Sequence, residues 1–220
     1  MAEENDGIFR EIEEELRHEK ASKLWRAYGN YVIGGALVLV LGVAGMQAWR
    51  SYDLKQRTAR GLTFDQARTL GVEGKTAQAI AAFEKIAKEK SDGYGRLARF
   101  REAGLMAKNG DAAGAAAAYQ TLSHQDGLAP QYRDLAVVLG ALQELNTSAT
   151  STPLIDRLPD LLDANNPWHH SAREALAIAD LKRGDRAGAI KNFKALVDDA
   201  TTPQGVAQRA TEMLNTIDQP

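Results

Sequence analysis

The chain has 220 residues with 27 basic and 29 acidic side chains, a formal net charge of −2 at pH 7. So even a balance argues against a nucleic-acid footprint. The complete absence of cysteine excludes disulfides, thiolate metal centres and lipid anchoring through an N-terminal cysteine, and leaves either redox compartment open.

Residues 1–26 form a charged tail with five basic and eight acidic side chains. Its acidic run Glu11–Glu15 reads as a solvated helix face or as a docking surface. Glu13 and Glu14 stand four residues before Arg17 and His18, and Glu19 four before Lys23, a spacing that pairs opposite charges along a helix.

Residues 27–49, AYGNYVIGGALVLVLGVAGMQAW, carry no charge and are closed by Arg26 and Arg50. At about 1.5 Å per residue they make roughly 35 Å of helix, enough to cross a hydrocarbon core of about 30 Å. Trp25, Tyr28 and Tyr31 gather at one border, Trp49 and Tyr52 at the other. Rings of this kind suit the headgroup level, where one side is apolar and the polar atom is wet. A long acidic lead and an overlong apolar run fit a cleaved signal poorly. The segment therefore reads as a permanent transmembrane anchor marked by Tyr31, Gly35, Gly42 and Trp49. Gly35 and Gly42 lie seven apart on one face, where small residues let membrane helices approach.

Orientation does not follow from basic residues alone, since five flank the run on each side. A short tail with thirteen charges is expected to stay cytosolic while the larger C-terminal part is exported.

Residues 50–62 read as a helical linker and 63–220 as one domain, large enough for a true core. After the tail, 22 basic and 21 acidic residues remain. Three segments in this part repeat: GKTAQAIAAF from Gly74, GDAAGAAAAY from Gly110 and GDRAGAIKNF from Gly184. Five residues after each Gly stand Ala79, Ala115 and Ala189; nine after it stand Phe83, Tyr119 and Phe193. The glycines are 36 and 74 apart, the latter two steps of 37, so a degenerate copy is expected near Thr147. The apolar residues Leu154, Ile155, Leu158, Leu161 and Leu162 supply its second helix.

Physically, each repeat is a helix hairpin. Gly ends a first helix in a left-handed conformation, and Asp111 and Asp185 start the second. The small Ala lets the helices meet closely, and the ring fills space toward the next hairpin. First helices are expected in 94–109, 132–145 and 171–183 from apolar residues at three- and four-residue steps. With strand signals nearly absent, the fold class is all-α: a single transmembrane helix followed by an α-solenoid of about four hairpins. The first helices should line a concave face, which places Phe100, Val137 and Ile178 in a partner groove.

The Gly-Asp-x-x-x-Ala-Ile-x-x-Phe pattern, clearest at Gly184–Phe193, resembles the tetratricopeptide repeat. The acidic tail with IFREIEEELRHEKASKLWRAYGNYVIGG, the single anchor and about four divergent repeats together resemble the ancillary SecYEG translocon subunit family, the YfgM-like proteins. That resemblance implies an inner-membrane protein of a Gram-negative bacterium with a periplasmic repeat domain. It further implies association with Sec translocon subunits and with a membrane-anchored periplasmic chaperone, in the handling of newly exported proteins.

No nucleophile-and-base arrangement, phosphate-cradling loop or supported carboxylate pair stands out, so a non-enzymatic role without cofactor or metal is expected. Trp168-His169-His170 is the one tempting cluster. Adjacent helical histidines point about 100° apart, which disfavours joint metal ligation, and Trp168 is expected to pack at a hairpin start. The competing reading of the whole chain is a structural scaffold or accessory subunit of another envelope or respiratory complex.

Overall fold

The computed structural model describes residues 3–89, 93–147 and 152–217, with side chains described beyond residue 22 except those of Leu24 and Val32. The ion pairing expected within the tail lies outside the described side chains. The described residues contain eight α-helices, one short 3₁₀ helix and no strand. The chain divides into two units, residues 1–59 and 60–220.

Helix α1 spans Glu3–Val72. Within the first unit it presents its apolar run to the outside: Leu37, Val38, Leu39, Val40 and Leu41 are all exposed. Tyr31 and Trp49 are exposed as well. Nothing lies within contact distance of a side chain added at Gly35 or Gly42, so their shared face is open. The part of α1 from Trp25 contains a stretch long and apolar enough to cross a membrane, none of it buried within the protein. Leaving a large aliphatic side chain in water rather than an apolar medium costs about 1.5–3 kcal/mol.

In the second unit the end of α1 is followed by α2 (Thr76–Glu89), α3 (Gly93–Lys108), α4 (Ala112–Ser123), α5 (Pro130–Glu144), the 3₁₀ helix Ile155–Leu161, α6 (His169–Arg183), α7 (Arg186–Asp198) and α8 (Gln204–Ile217). Each packs mainly on its neighbours along the chain: α2 on α3, α3 on α4, α4 on α5, α6 on α7 and α7 on α8. The 3₁₀ helix bridges α5 and α6. This nearest-neighbour stacking is how hairpins that cannot bury a face alone share a core.

Three corners have one construction. Gly74, Gly110 and Gly184 take φ values of +78°, +89° and +81°, a region that costs other L-residues about 1–2 kcal/mol. The residue after each glycine then donates its N–H back to the preceding helix: Lys75 to Leu70 O, Asp111 to Met106 O and Asp185 to Asp180 O, at 2.9, 2.9 and 2.8 Å. This closes the helix end. At the last two corners the same Asp starts the next helix, its carboxylate accepting from Gly114 N at 2.8 Å and Gly188 N at 2.9 Å. One residue thus serves two helix ends, and the turn stays short.

The small and aromatic positions sit inside. Ala79, Ala115 and Ala189 are fully buried, as are Phe83 and Phe193, and Tyr119 is nearly so. A bulkier group at Ala189 must push the facing helices apart. Ala189→Leu is expected to cost roughly 1–3 kcal/mol, whereas Lys191→Leu, on an exposed position of the same helix, should leave the thermal midpoint almost unchanged. Equal midpoints for the two variants would contradict this packing.

The fourth hairpin departs from expectation. In place of a regular second helix after Thr147, the chain forms the 3₁₀ helix Ile155–Leu161 with Pro159 inside it; residues 148–151 lie outside the described residues. Proline removes a backbone donor and opposes a continuous α-helix. Leu154, Ile155, Leu158 and Leu161 are nonetheless buried in the main core cluster, so the segment keeps the apolar role without the α geometry. Its start is pinned by Glu144, itself buried, whose carboxylate accepts from Leu154 N at 3.1 Å and Ile155 N at 2.9 Å. Arg183 on α6 adds an exposed pair to Asp156 at 2.7 Å.

Gly140 on α5 lies close to both α4 and the residue before the 3₁₀ helix. A Cβ there would fall 2.3 Å from Leu154 Cδ1 and 2.9 Å from Tyr119 Cβ, so only glycine lets α5 fit between them.

Candidate functional site

An open groove of about 540 Å³ is built by the end of α1 and helices α2 to α5. Its apolar floor comes from Phe83, Leu97, Phe100, Leu105, Tyr119 and Leu139. Phe100 and Tyr119 lie with ring centroids 6.2 Å apart at 51°, and Phe83 is held from behind by Phe64 at 5.1 Å in an edge-to-face pair. Such ring pairs fix the floor rather than leaving it to rearrange. Burial pushes the Tyr119 phenol above its ordinary pKa, so its hydroxyl stays a neutral hydrogen-bonding group.

The rim is cationic. Arg68, Arg101 and Lys108 line the groove, and among the described residues no acidic one does. Arg68 is already engaged, donating to Asp65 Oδ1 at 3.0 and 2.8 Å. Arg101 and Lys108 form no ion pair among the described residues and are exposed. Leu97 is 44% exposed, so apolar surface as well as charge is offered to a partner.

The three residues expected to share a partner groove are not brought together. Phe100 lies in the groove. Val137 is fully buried, contrary to expectation, because α5 is packed on one side by α4 and on the other by the 3₁₀ helix and α6. Ile178 is half-buried between two core clusters and does not line the groove. The residues missed are Leu97, Arg101, Leu105 and Lys108. They recur on α3 at steps of four, four and three, one helical face whose mixture of Leu and cations was the available signal.

The Trp168-His169-His170 cluster also differs from expectation. Trp168 does tie a hairpin start, its indole N–H donating to Gln131 O at 2.6 Å. The two histidines, however, do not diverge: their ring centroids are 3.7 Å apart with planes tilted by 40°. His169 is the first residue of α6, and its ring is drawn back by a hydrogen bond from Nδ1 to Asn166 O at 2.6 Å. Asp199, after the end of α7, meets His170 Nε2 at 3.1 Å.

Neither arrangement contains an activated nucleophile. No curated protein and no solved structure matches the chain. The model of the tetratricopeptide repeat-like domain does match, over residues 22–138. The match takes in the apolar run of α1, the corners at Gly74 and Gly110, helices α2 to α4 and the first part of α5. It covers more than half of the 220 residues, and the chain belongs to the tetratricopeptide repeat-like domain family.

Proposed function

We propose that this chain is a single-pass membrane protein whose repeat domain binds protein segments beside the Sec translocon. The observation that carries the binding reading is the groove: an apolar floor, half-buried at Phe100, Leu105 and Leu139 and exposed at Leu97, bordered by cations with no acidic residue among the described residues of its lining. That chemistry selects a segment with one or two large apolar side chains and a nearby carboxylate. Repeat domains of this type are typically protein-interaction modules, which supports the same reading.

The membrane reading rests on the exposed apolar stretch of α1 and its aromatic borders. The tail stays cytosolic and the repeat domain lies in the periplasm. The partners are Sec translocon subunits and a membrane-anchored periplasmic chaperone, with newly exported chains as clients. This narrower assignment is supported by the resemblance of tail, anchor and divergent repeats to the ancillary SecYEG subunit family.

Affinity purification of the full chain in mild detergent tests the partner. Recovery of Sec subunits with the chaperone is expected. Stoichiometric recovery of a respiratory or other envelope complex without Sec subunits would reject the translocon assignment and leave the scaffold reading. A reporter active only outside the cytosol, fused after Pro220, should be active, and fused at Met1 inactive; the reverse pattern would overturn the topology.

A further inference from the structure

We propose that His169, His170 and Asp199 form a binding site for a divalent first-row transition-metal ion, zinc foremost, distinct from the groove. One donor atom from each of the three lies within 4.8 Å of the other two. Four-coordinate zinc with bonds of about 2.0–2.1 Å needs donors roughly 3.3 Å apart. His170 Nε2 and Asp199 Oδ2, 3.1 Å apart, already meet that requirement. A metal there would take the place of the shared proton, and the His169 ring, its centroid 3.7 Å from that of His170, lies close enough to supply the third donor.

The surroundings prepare each ligand. His169 Nδ1 faces a backbone carbonyl, Asn166 O, and so must donate to it; Nε2 then carries the lone pair. This carbonyl-held tautomer is the usual support of a metal-binding histidine. Asp199 Oδ1 accepts from the Thr201 hydroxyl at 2.7 Å and the Thr201 N–H at 2.8 Å, which fixes the carboxylate and leaves Oδ2 for the ion.

Access is adequate too. The His170 side chain is 12% exposed and that of Asp199 39%, so the site is sheltered on the imidazole side and open on the carboxylate side. A water can complete four-coordination from there. Two imidazoles and a carboxylate suit zinc, cobalt, nickel or copper and not calcium or magnesium, which take oxygen ligands. A bound ion would join the start of α6 to the α7–α8 connection and stiffen the C-terminal end of the stack.

The test is titration of the metal-free full chain in detergent with cobalt(II) and zinc(II). The chain has no cysteine and only two other histidines, His18 and His124, so the background is low. One equivalent of cobalt should bind with a tetrahedral visible absorption band that zinc displaces, and zinc should raise the thermal midpoint. His169→Gln, His170→Gln and Asp199→Asn should each weaken binding at least about tenfold, while the double variant His18→Ala, His124→Ala binds as before. Circular dichroism identifies which variants remain folded; any one of the three that does so is sufficient to decide. Absence of saturable binding by the unmodified chain below about 100 μM, a dissociation constant already too weak for a built site, would overturn the proposal. So would binding unchanged in a folded ligand variant, or lost in the His18, His124 variant. None of these outcomes bears on binding in the groove.

Discussion

Replacement of Glu144 by Ala is expected to lower the unfolding free energy of the repeat domain by roughly 2–6 kcal/mol. The reason is the pair of backbone donors it leaves behind. Leu154 N and Ile155 N belong to buried residues, and their described side-chain partner is the Glu144 carboxylate. An unsatisfied buried donor costs about 1–3 kcal/mol, and here there are two. Glu144→Gln keeps the size but offers a single acceptor oxygen, so it should fall between Ala and the native residue. A pH dependence accompanies this. Burial raises the Glu144 pKa, against the opposing influence of the two backbone N–H groups. A raised native value means that the folded state holds the proton more tightly than the unfolded one. The contribution of this ionisation is therefore full below the ordinary glutamate range, at about pH 4, and is lost as pH rises through the raised native value. Glu144→Gln should remove that part of the pH slope. Thermal melts of the full chain in detergent at several pH values check both effects, and an Ala variant as stable as the native chain would show that the 3₁₀ segment is held some other way.

The second large effect is expected at the groove. Reversing both unpaired rim cations, Arg101→Glu with Lys108→Glu, should weaken capture of a protein partner by about tenfold or more, because like charges brought together at an interface repel and slow association. Both side chains are exposed on α3, so the fold should be unaffected. Removing the charges with Arg101→Gln and Lys108→Gln should give a smaller loss, one that shrinks further as salt is added. A loss identical in the two double variants and insensitive to salt would mean that the apolar floor alone does the binding.

The corners at Gly74, Gly110 and Gly184 are legible in the sequence because the interactions that make them are local: a left-handed glycine, a helix closed by the next residue, and an Asp that caps within three residues. The Ala and aromatic positions are legible because a hairpin repeats its own packing. What depends on the stack as a whole is not. Val137 has the apolar spacing of a first helix, but its helix lies between neighbours on both sides, so its face is core and not surface. The segment after Thr147 has helical spacing, yet Pro159 and the carboxylate of Glu144 from another element shape it into a 3₁₀ helix. Asp199 stands 29 residues beyond His170, and only the folded chain brings the two together. The groove cations fall between: their spacing on α3 is visible, but what it faces is set by α1, α4 and α5.

The most direct test of the central claim is a site-specific photo-crosslinker at Leu97, in the groove, compared with one at Lys191, exposed on α7 and outside the groove. In intact membranes, position 97 should yield a discrete adduct with a Sec subunit, the periplasmic chaperone or a newly exported chain. That adduct should be lost when Arg101 and Lys108 are both changed to Glu, and position 191 should not produce it. Adducts from position 191 alone, or a position 97 adduct that survives the double charge reversal undiminished, would contradict a protein-binding groove with a cationic rim.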